Sequence, residues 1–310
     1  MNKYKHKPVL LEEVVEGLAI KPNGIYVDGT FGRGGHARSI LKLLSTQGKL
    51  IAIDKDPEAA REAKELFGND ERFHICHDSF VNIAEIAKNL DVYGNIGGIL
   101  LDLGVSSPQL DEESRGFSFL HDGPLDMRMN PEVGVSAAVW ISKVKAEELA
   151  DVFKKYGEER YAKRIAKAVI EARNEVPIKT TKQLAEIIKV ANPKWEKHKH
   201  PATRCFQAIR IFINNELAEL SACLEDCLEV LAVGGRLTVV SFHSLEDRIV
   251  KRFIKKHERG DTFPAGFPVR QEELTPRLKR IGRAIMPDSK ECVDNPRARS
   301  AVLRIAEKLV

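Results

Sequence analysis

The chain has 310 residues, 43% hydrophobic and 30% charged, which suits one large globular domain or two smaller ones. No apolar run approaches the ~20 residues that span a bilayer, and Glu12, Glu13 and Glu16 interrupt the stretch from Val9 to Ile20, so a signal peptide is not expected. Five cysteines without a Cys-x-x-Cys pair point to free thiols in the reducing cytoplasm, with no disulfide framework and no metal site.

Residues 25–54 carry the strongest local signal. Ile25-Tyr26-Val27-Asp28 is a short apolar strand ending in an acid, and Gly29 to His36 forms a glycine-rich turn that opens a helix from Ala37 to Leu44. Leu50-Ile51-Ala52-Ile53-Asp54 is a second buried strand ending in an acid. Glycines let the backbone turn sharply and approach a ligand, and the acid ~20 residues on is placed for ribose hydroxyls. A nucleoside-containing cofactor is expected. The loop Gly32-x-Gly34-x-x-Ala37 also fits a loose dinucleotide fingerprint, so it leaves a nicotinamide cofactor open.

Further strands are expected over 73–77, before Asp78, and over 96–102, ending at Asp102, with helices between them. Near-continuous apolar strands alternating with helices mean a parallel sheet covered on both faces. Its ligand sits beyond the carboxyl ends of the strands, which gathers Asp28, Asp54, Asp78 and Asp102. From Ser136 the pattern turns helical, with helices expected over 144–156, 161–174, 180–190 and 201–213. A long helix over 217–231, a strand over 236–242, a helix over 245–257 and a final strand over 300–305 then resume the α/β pattern. The segment 260–296, rich in Pro, Gly and Arg, is expected to be the least structured.

These spans predict a discontinuous α/β domain, 1–135 with 211–310, interrupted by a helical substrate-recognition insert over 136–210. The net charge of +4 is uneven. Ser136 to Arg210 holds 17 Lys+Arg against 9 Asp+Glu, which leaves 32 against 36 elsewhere, and 276–304 holds 8 against 3. A basic middle and tail suit a polyanion. Lys194, Lys197 and Lys199 are the candidate phosphate contacts.

The turn after the fourth strand, Asp102-Leu103-Gly104-Val105-Ser106-Ser107-Pro108, narrows the chemistry. An acid followed by small residues and proline can accept hydrogen bonds from an exocyclic amine while a flat base approaches, as in enzymes that extrude a base from its stack. Methylation at ring carbon 5 would need a cysteine nucleophile, and none of the five cysteines is placed at a strand end, Cys76 lying inside its strand.

At this point the sequence resembles the bacterial small-subunit rRNA cytosine-N4 methyltransferase family (RsmH, also called MraW). The resemblance rests on the ordered set 6–11, 28–36, 102–111, 115–119, 122–129, 204–210, 241–248 and 295–304, which covers essentially the whole chain. It implies a class I S-adenosylmethionine-dependent methyltransferase fold, Rossmann-like, with a seven-stranded mostly parallel sheet and an inserted helical domain. It also implies S-adenosylmethionine as methyl donor and N4 of a decoding-region cytidine of 16S rRNA, in the small ribosomal subunit, as acceptor. The family's donor contacts fall on Gly34, Gly35, His36 (through its backbone), Asp54, Phe80, Asp102 and Gln109, with Asp102 also beside the target amine as the catalytic residue. Phe117, Phe119 and His243 are candidates for substrate contact, whereas Trp140 and Trp195 are expected in the core. A nicotinamide-dependent dehydrogenase and a non-catalytic RNA-binding assembly factor are the competing classes; monomer and homodimer both stay open.

Overall fold

The computed structural model describes residues 8–195, 200–260 and 275–310. The chain divides into two compact units, Met1–Gly104 with Leu217–Val310, and Val105–Glu216.

The first unit is the α/β one. It runs α1 (Leu11–Leu18), β1 (Ile25–Asp28), α2 (Gly35–Leu43), β2 (Lys49–Asp54), α3 (Pro57–Phe67), β3 (Phe73–His77), α4 (Ile83–Asn89) and β4 (Ile96–Asp102). Ile51, Ile53, Ile99, Leu101 and Val239 on one face, and Leu50, Ala52, Leu100 and Val240 on the other, have at most 3% exposure, which identifies strands covered on both faces. With β5 (Leu231–Ser241), β6 (Leu278–Arg280) and β7 (Val302–Lys308) from later in the chain, the described residues form a seven-stranded sheet in the order β3-β2-β1-β4-β5-β7-β6. β1 pairs in parallel with β2 and β4, and β2 with β3, whereas β7 runs antiparallel to both β5 and β6. The order reverses between β1 and β4, and a crevice for ligands opens at such a point.

The second unit is helical. It holds α5 (Ser107–Asp111), α6 (Ala137–Lys143), α7 (Ala146–Gly157), α8 (Ala162–Glu175), α9 (Thr181–Ala191) and α10 (Thr203–Ile213). The Thr180 hydroxyl accepts from the Gln183 N–H to start α9. The unit begins at Val105, not at the expected Ser136. The reason is packing. Leu125, Met127 and Met129 are at most 7% exposed in the core shared with Phe153, Ile165 and Leu184. Asn214 ties the segment down, its Oδ1 accepting from the Met129 N–H and its Nδ2 donating to the Met127 carbonyl, each at 2.7 Å. Trp195, expected in the core, is 54% exposed.

The chain then returns to the first unit through α11 (Glu216–Val230), β5 (Leu231–Ser241), α12 (Ser244–Arg259), β6 (Leu278–Arg280), α13 (Ser289–Asp294) and β7 (Val302–Lys308). β6 and α13 lie within 260–296, the part expected to be least structured, of which 261–274 lie outside the described residues. The alternation in Leu278–Arg280 is too short to register as a strand, and pairing with β7 makes it one.

Candidate active site

Three strand ends build the site. β1 ends at Asp28, level with Ala52 and Leu100, and the neighbouring parallel strands β2 and β4 run two residues further, to Asp54 and Asp102. Between Asp28 and α2 the backbone takes left-handed conformations at Gly32 (φ 57°) and Gly34 (φ 69°), which glycine adopts without strain. The turn is pinned from β2, because Asp54 Oδ2 accepts the Gly32 N–H at 2.8 Å. Asp54 Oδ1 accepts the Asp56 N–H at 2.9 Å. Each carboxylate oxygen therefore keeps one lone pair for a ligand hydroxyl. The Thr30 hydroxyl accepts the Asp102 N–H at 2.6 Å and couples the turn to β4.

Asp102 is the least satisfied group in this cluster. Its side chain is 25% exposed, yet Oδ1 is fully buried without a hydrogen-bond partner. Burial, with the charges of Asp28 and Glu246 adding to it, pushes its carboxyl up to about 8. Asp28 is 1% exposed; its Oδ1 accepts the Thr30 N–H at 3.2 Å and its Oδ2 is orphaned. Burial raises it to about 7, opposed by that hydrogen bond and reinforced by Asp54. Asp54 itself rises only to about 6, because two backbone N–H groups offset part of the burial. Perturbed, partly unsatisfied carboxyls at strand ends mark a functional site.

His36 enters this cluster through its ring, which sequence reasoning missed. The residue sits in the first turn of α2, 6% exposed, with Nε2 3.2 Å from the Val9 carbonyl and Nδ1 3.6 Å from Asp102 Oδ2. A carbonyl can only accept, so Nε2 carries the proton and Nδ1 faces Asp102 as an acceptor. Burial depresses the imidazole to about 4, so it is neutral. The only sequence signal was a histidine two residues after the left-handed Gly34.

Phe80 opens a 3-10 turn after β3, half-buried, and its Cβ would lie 3.5 Å from a Cβ built on Gly29. Glu219 holds this turn, accepting from Ser79 Oγ at 2.8 Å and from Lys55 Nζ at 2.6 Å. Asp78 serves the turn itself and accepts from Ser79 N–H and Asn82 Nδ2. His243 is the N-cap of α12, its Nδ1 accepting the Glu246 N–H at 3.4 Å. Glu246, 2% exposed, reciprocates by accepting the Phe242 and His243 N–H groups. The sequence showed His243 but not this cap.

Other candidates belong to the helical unit. Gln109 is buried in α5, where its Oε1 accepts the Ser106 N–H at 2.9 Å. Phe117 is only 6% exposed in that unit's core, with the Arg115 guanidinium 5.9 Å from its ring centroid. Phe119 is half-buried and packs edge-on to Phe206 at 4.8 Å and against His200 at 4.7 Å. Lys194 is exposed, its N–H donating to Asn192 Oδ1. Lys197 and Lys199 lie outside the described residues.

If Asp54 holds a ribose, Asp54→Ala should weaken donor binding about 10- to 100-fold, since a hydrogen bond to a charged group is worth ~1.5–3 kcal/mol. Asp54→Asn, which keeps an acceptor, should lose less. Calorimetric titration of both variants checks this, and an Ala variant with parental affinity would remove ribose from this carboxylate.

Comparison with known proteins identifies the family. A curated relative from Legionella pneumophila strain Paris, "Ribosomal RNA small subunit methyltransferase H", is 59% identical over 305 residues, covering 98% of this chain and 99% of its own. The protein of the same name from strain Corby matches at the same identity and coverage. Among solved structures, a putative rRNA-methylase from Clostridium thermocellum aligns over 99% of this chain and 100% of its own at 13% identity and a TM-score of 0.46, too distant to add to the argument. The family model described as MraW methylase matches residues 3–309, and the chain belongs to that family.

Proposed function

We propose that the protein methylates N4 of a specific cytidine in the decoding region of small-subunit (16S) ribosomal RNA, with S-adenosylmethionine as donor. The observation that carries this reading is Asp102: a strand-end carboxyl with an orphaned buried oxygen, beside a glycine turn and a ribose-competent acid. The name of the Legionella relatives supports the RNA and the subunit. No helix among the described residues is long and apolar enough to cross a membrane, and the reading places the protein in the cytoplasm with the ribosomal subunit.

The residues fit the donor. Asp54 retains a lone pair on each oxygen for the ribose hydroxyls, and Phe80 offers a flat apolar face to the adenine. The Gly34–Gly35 turn offers backbone to the donor and is held tightly by the protein behind it, where a Cβ would strike Phe31 and Phe67 at Gly34 and Pro8 at Gly35. His36 belongs to the same turn, and Gln109 is assigned to the donor from the family resemblance. When bound, S-adenosylmethionine supplies an electrophilic methyl group on a sulfonium.

The rest falls to the chain's own groups. A cytosine amine is a poor nucleophile because its lone pair is delocalised into the ring, so fixing its orientation supplies much of the rate gain. Asp102, when ionised, accepts one N–H of that amine and draws the nitrogen toward a tetrahedral geometry. His36 Nδ1, neutral and proton-free, sits where it can share the proton that Asp102 takes up. Phe119 keeps some ring surface open for a base, backed by Phe206 and His200, while Phe117, buried in the core, is not placed to stack on one. His243 and Lys194, Lys197 and Lys199 are assigned to RNA contact.

The test is transfer of labelled methyl from S-adenosylmethionine to unmethylated small subunits and to their purified RNA, followed by nucleoside analysis. N4-methylcytidine is the expected product. Label on ring carbon 5, or none on either substrate, would refute the reading; turnover of NAD(P)H would point to the dehydrogenase.

A further inference from the structure

A cationic groove occupies one edge of the α/β unit, away from the carboxylate cluster. It is a cavity of about 280 Å³ between α12 and the β6–β7 edge. Lys251, Lys255 and Arg259 line it from α12 at four-residue spacing, so they share one helix face. Arg280 and Arg283 line it from the far side, and Arg304 of β7 from below. Glu258 is the one acid in the lining. The floor is aliphatic, with Ile254 and Ile305 3% and 6% exposed.

The charges are arranged to receive something. Arg304 is held in place by Asp247, its Nε donating to Oδ1 at 2.7 Å and Nη2 to Oδ2 at 3.1 Å. Arg280 lies 3.9 Å from Glu258, a loose and exposed pair. Lys251, Lys255, Arg259 and Arg283 are exposed and form no ion pair among the described residues. Like charges crowded on a low-dielectric floor repel one another and attract a polyanion from solution.

Register places the groove relative to the chemistry. Asp102 is level with Val240, Val240 with Leu303, and Leu303 with Ile285, two residues beyond Arg283. Three inter-strand steps of ~4.8 Å put that end of the groove ~14 Å from the backbone of Asp102. An RNA strand whose base reaches Asp102 can lay neighbouring phosphates in the groove. A phosphate–arginine fork would orient the strand without reading its bases.

We infer that the groove between α12 and β6–β7 binds the phosphodiester backbone of the RNA flanking the target base. This deepens the functional reading above and rests on it. The groove anchors the strand, so it governs RNA affinity and KM, whereas the chemical step stays with Asp102.

The test compares the full-length parent with a Lys251→Ala/Lys255→Ala/Arg283→Ala variant on a decoding-region transcript at four salt concentrations. The variant should bind the transcript at least tenfold more weakly at low salt. Its slope of log affinity against log salt should be shallower by about 2, because each lost phosphate contact releases ~0.7–0.9 fewer counterions. KM for the transcript should rise while kcat at saturation and calorimetric donor affinity hold. The single variant Lys255→Ala, a mild change at an exposed site, should flatten the slope by less than 1 and keeps the proposal testable if the triple variant is unstable. Parental affinity and slope in both variants would overturn the groove. So would binding of anionic phospholipid vesicles that the triple variant loses while its RNA affinity is unchanged. Failure of the parent to methylate the transcript and the subunit is a different result, and refutes the functional reading instead.

Discussion

Asp102→Asn is expected to lower the single-turnover rate of methyl transfer 10²- to 10⁴-fold, the usual contribution of a positioned base, with donor affinity changed much less. The same variant should be more stable than the parent at pH 8.5. Burial raises this carboxyl to about 8, above its unfolded value of ~3.9. The unfolded chain then releases its proton first as pH climbs. The ionisable side chain thus lowers stability progressively between about pH 4 and pH 8, and the loss is complete above that. Asparagine cannot ionise and escapes this loss, so its advantage should be near zero at pH 4 and largest at pH 8.5. A gain of only ~1 kcal/mol would raise Tm by about 2 °C in a chain of this size. Parental turnover should also climb with pH as Asp102 ionises, and the residual turnover of the Asn variant should not. Thermal unfolding at the two pH values, with rapid-quench kinetics, gives both readouts. If rate and donor affinity fell by the same factor, Asp102 would be a donor ligand alone.

The strand-end acids were legible because β1, β2 and β4 are near-continuous apolar runs. Such runs, bounded by turn residues and alternating with helices, read as buried parallel strands, and the residue that ends each lies at the crevice. The sharp glycine turn was legible for a related reason, since a glycine cluster between strand and helix leaves few other readings. What the sequence did not show depends on contacts between distant residues. His36 meets Val9 and Asp102 only because α2 returns over the sheet. Asp28 looked like a plain strand end, and its orphaned Oδ2 arises from complete burial. The segment before Ser136 has no helical period, so its place in the helical unit had no local signal; Asn214, some 85 positions later, fixes it. The α12 groove was hidden as well. Its cations are spread from Lys251 to Arg304, and only the antiparallel pairing of β6 with β7 brings them to one edge.

Gly34→Ala is expected to cost roughly 2–5 kcal/mol of stability and at least tenfold in donor affinity. Two separate penalties combine. An alanine at φ 69° pays the left-handed strain of ~1–2 kcal/mol. Its Cβ would also fall 2.7 Å from Phe31 Cζ and 2.9 Å from Phe67 Cε2, inside contact distance. Neither ring can yield easily, because Phe31, Phe67 and Phe73 pack on one another with centroids 5.0–6.1 Å apart. Overpacking of this kind typically adds ~1–3 kcal/mol. If the clash is relieved by moving the turn, the Gly32 N–H leaves Asp54 and the donor cradle opens. Gly94→Ala separates the two penalties. Gly94 has φ 75° but nothing within 4 Å of the added Cβ, and it precedes β4 at the amino end of the strand, far from the acids. That variant should lose only ~1–2 kcal/mol and bind donor like the parent. Chemical denaturation and calorimetry on the two variants give the comparison. Equal losses of stability would mean the aromatic wall yields to the extra methyl, and the turn is held by backbone conformation alone.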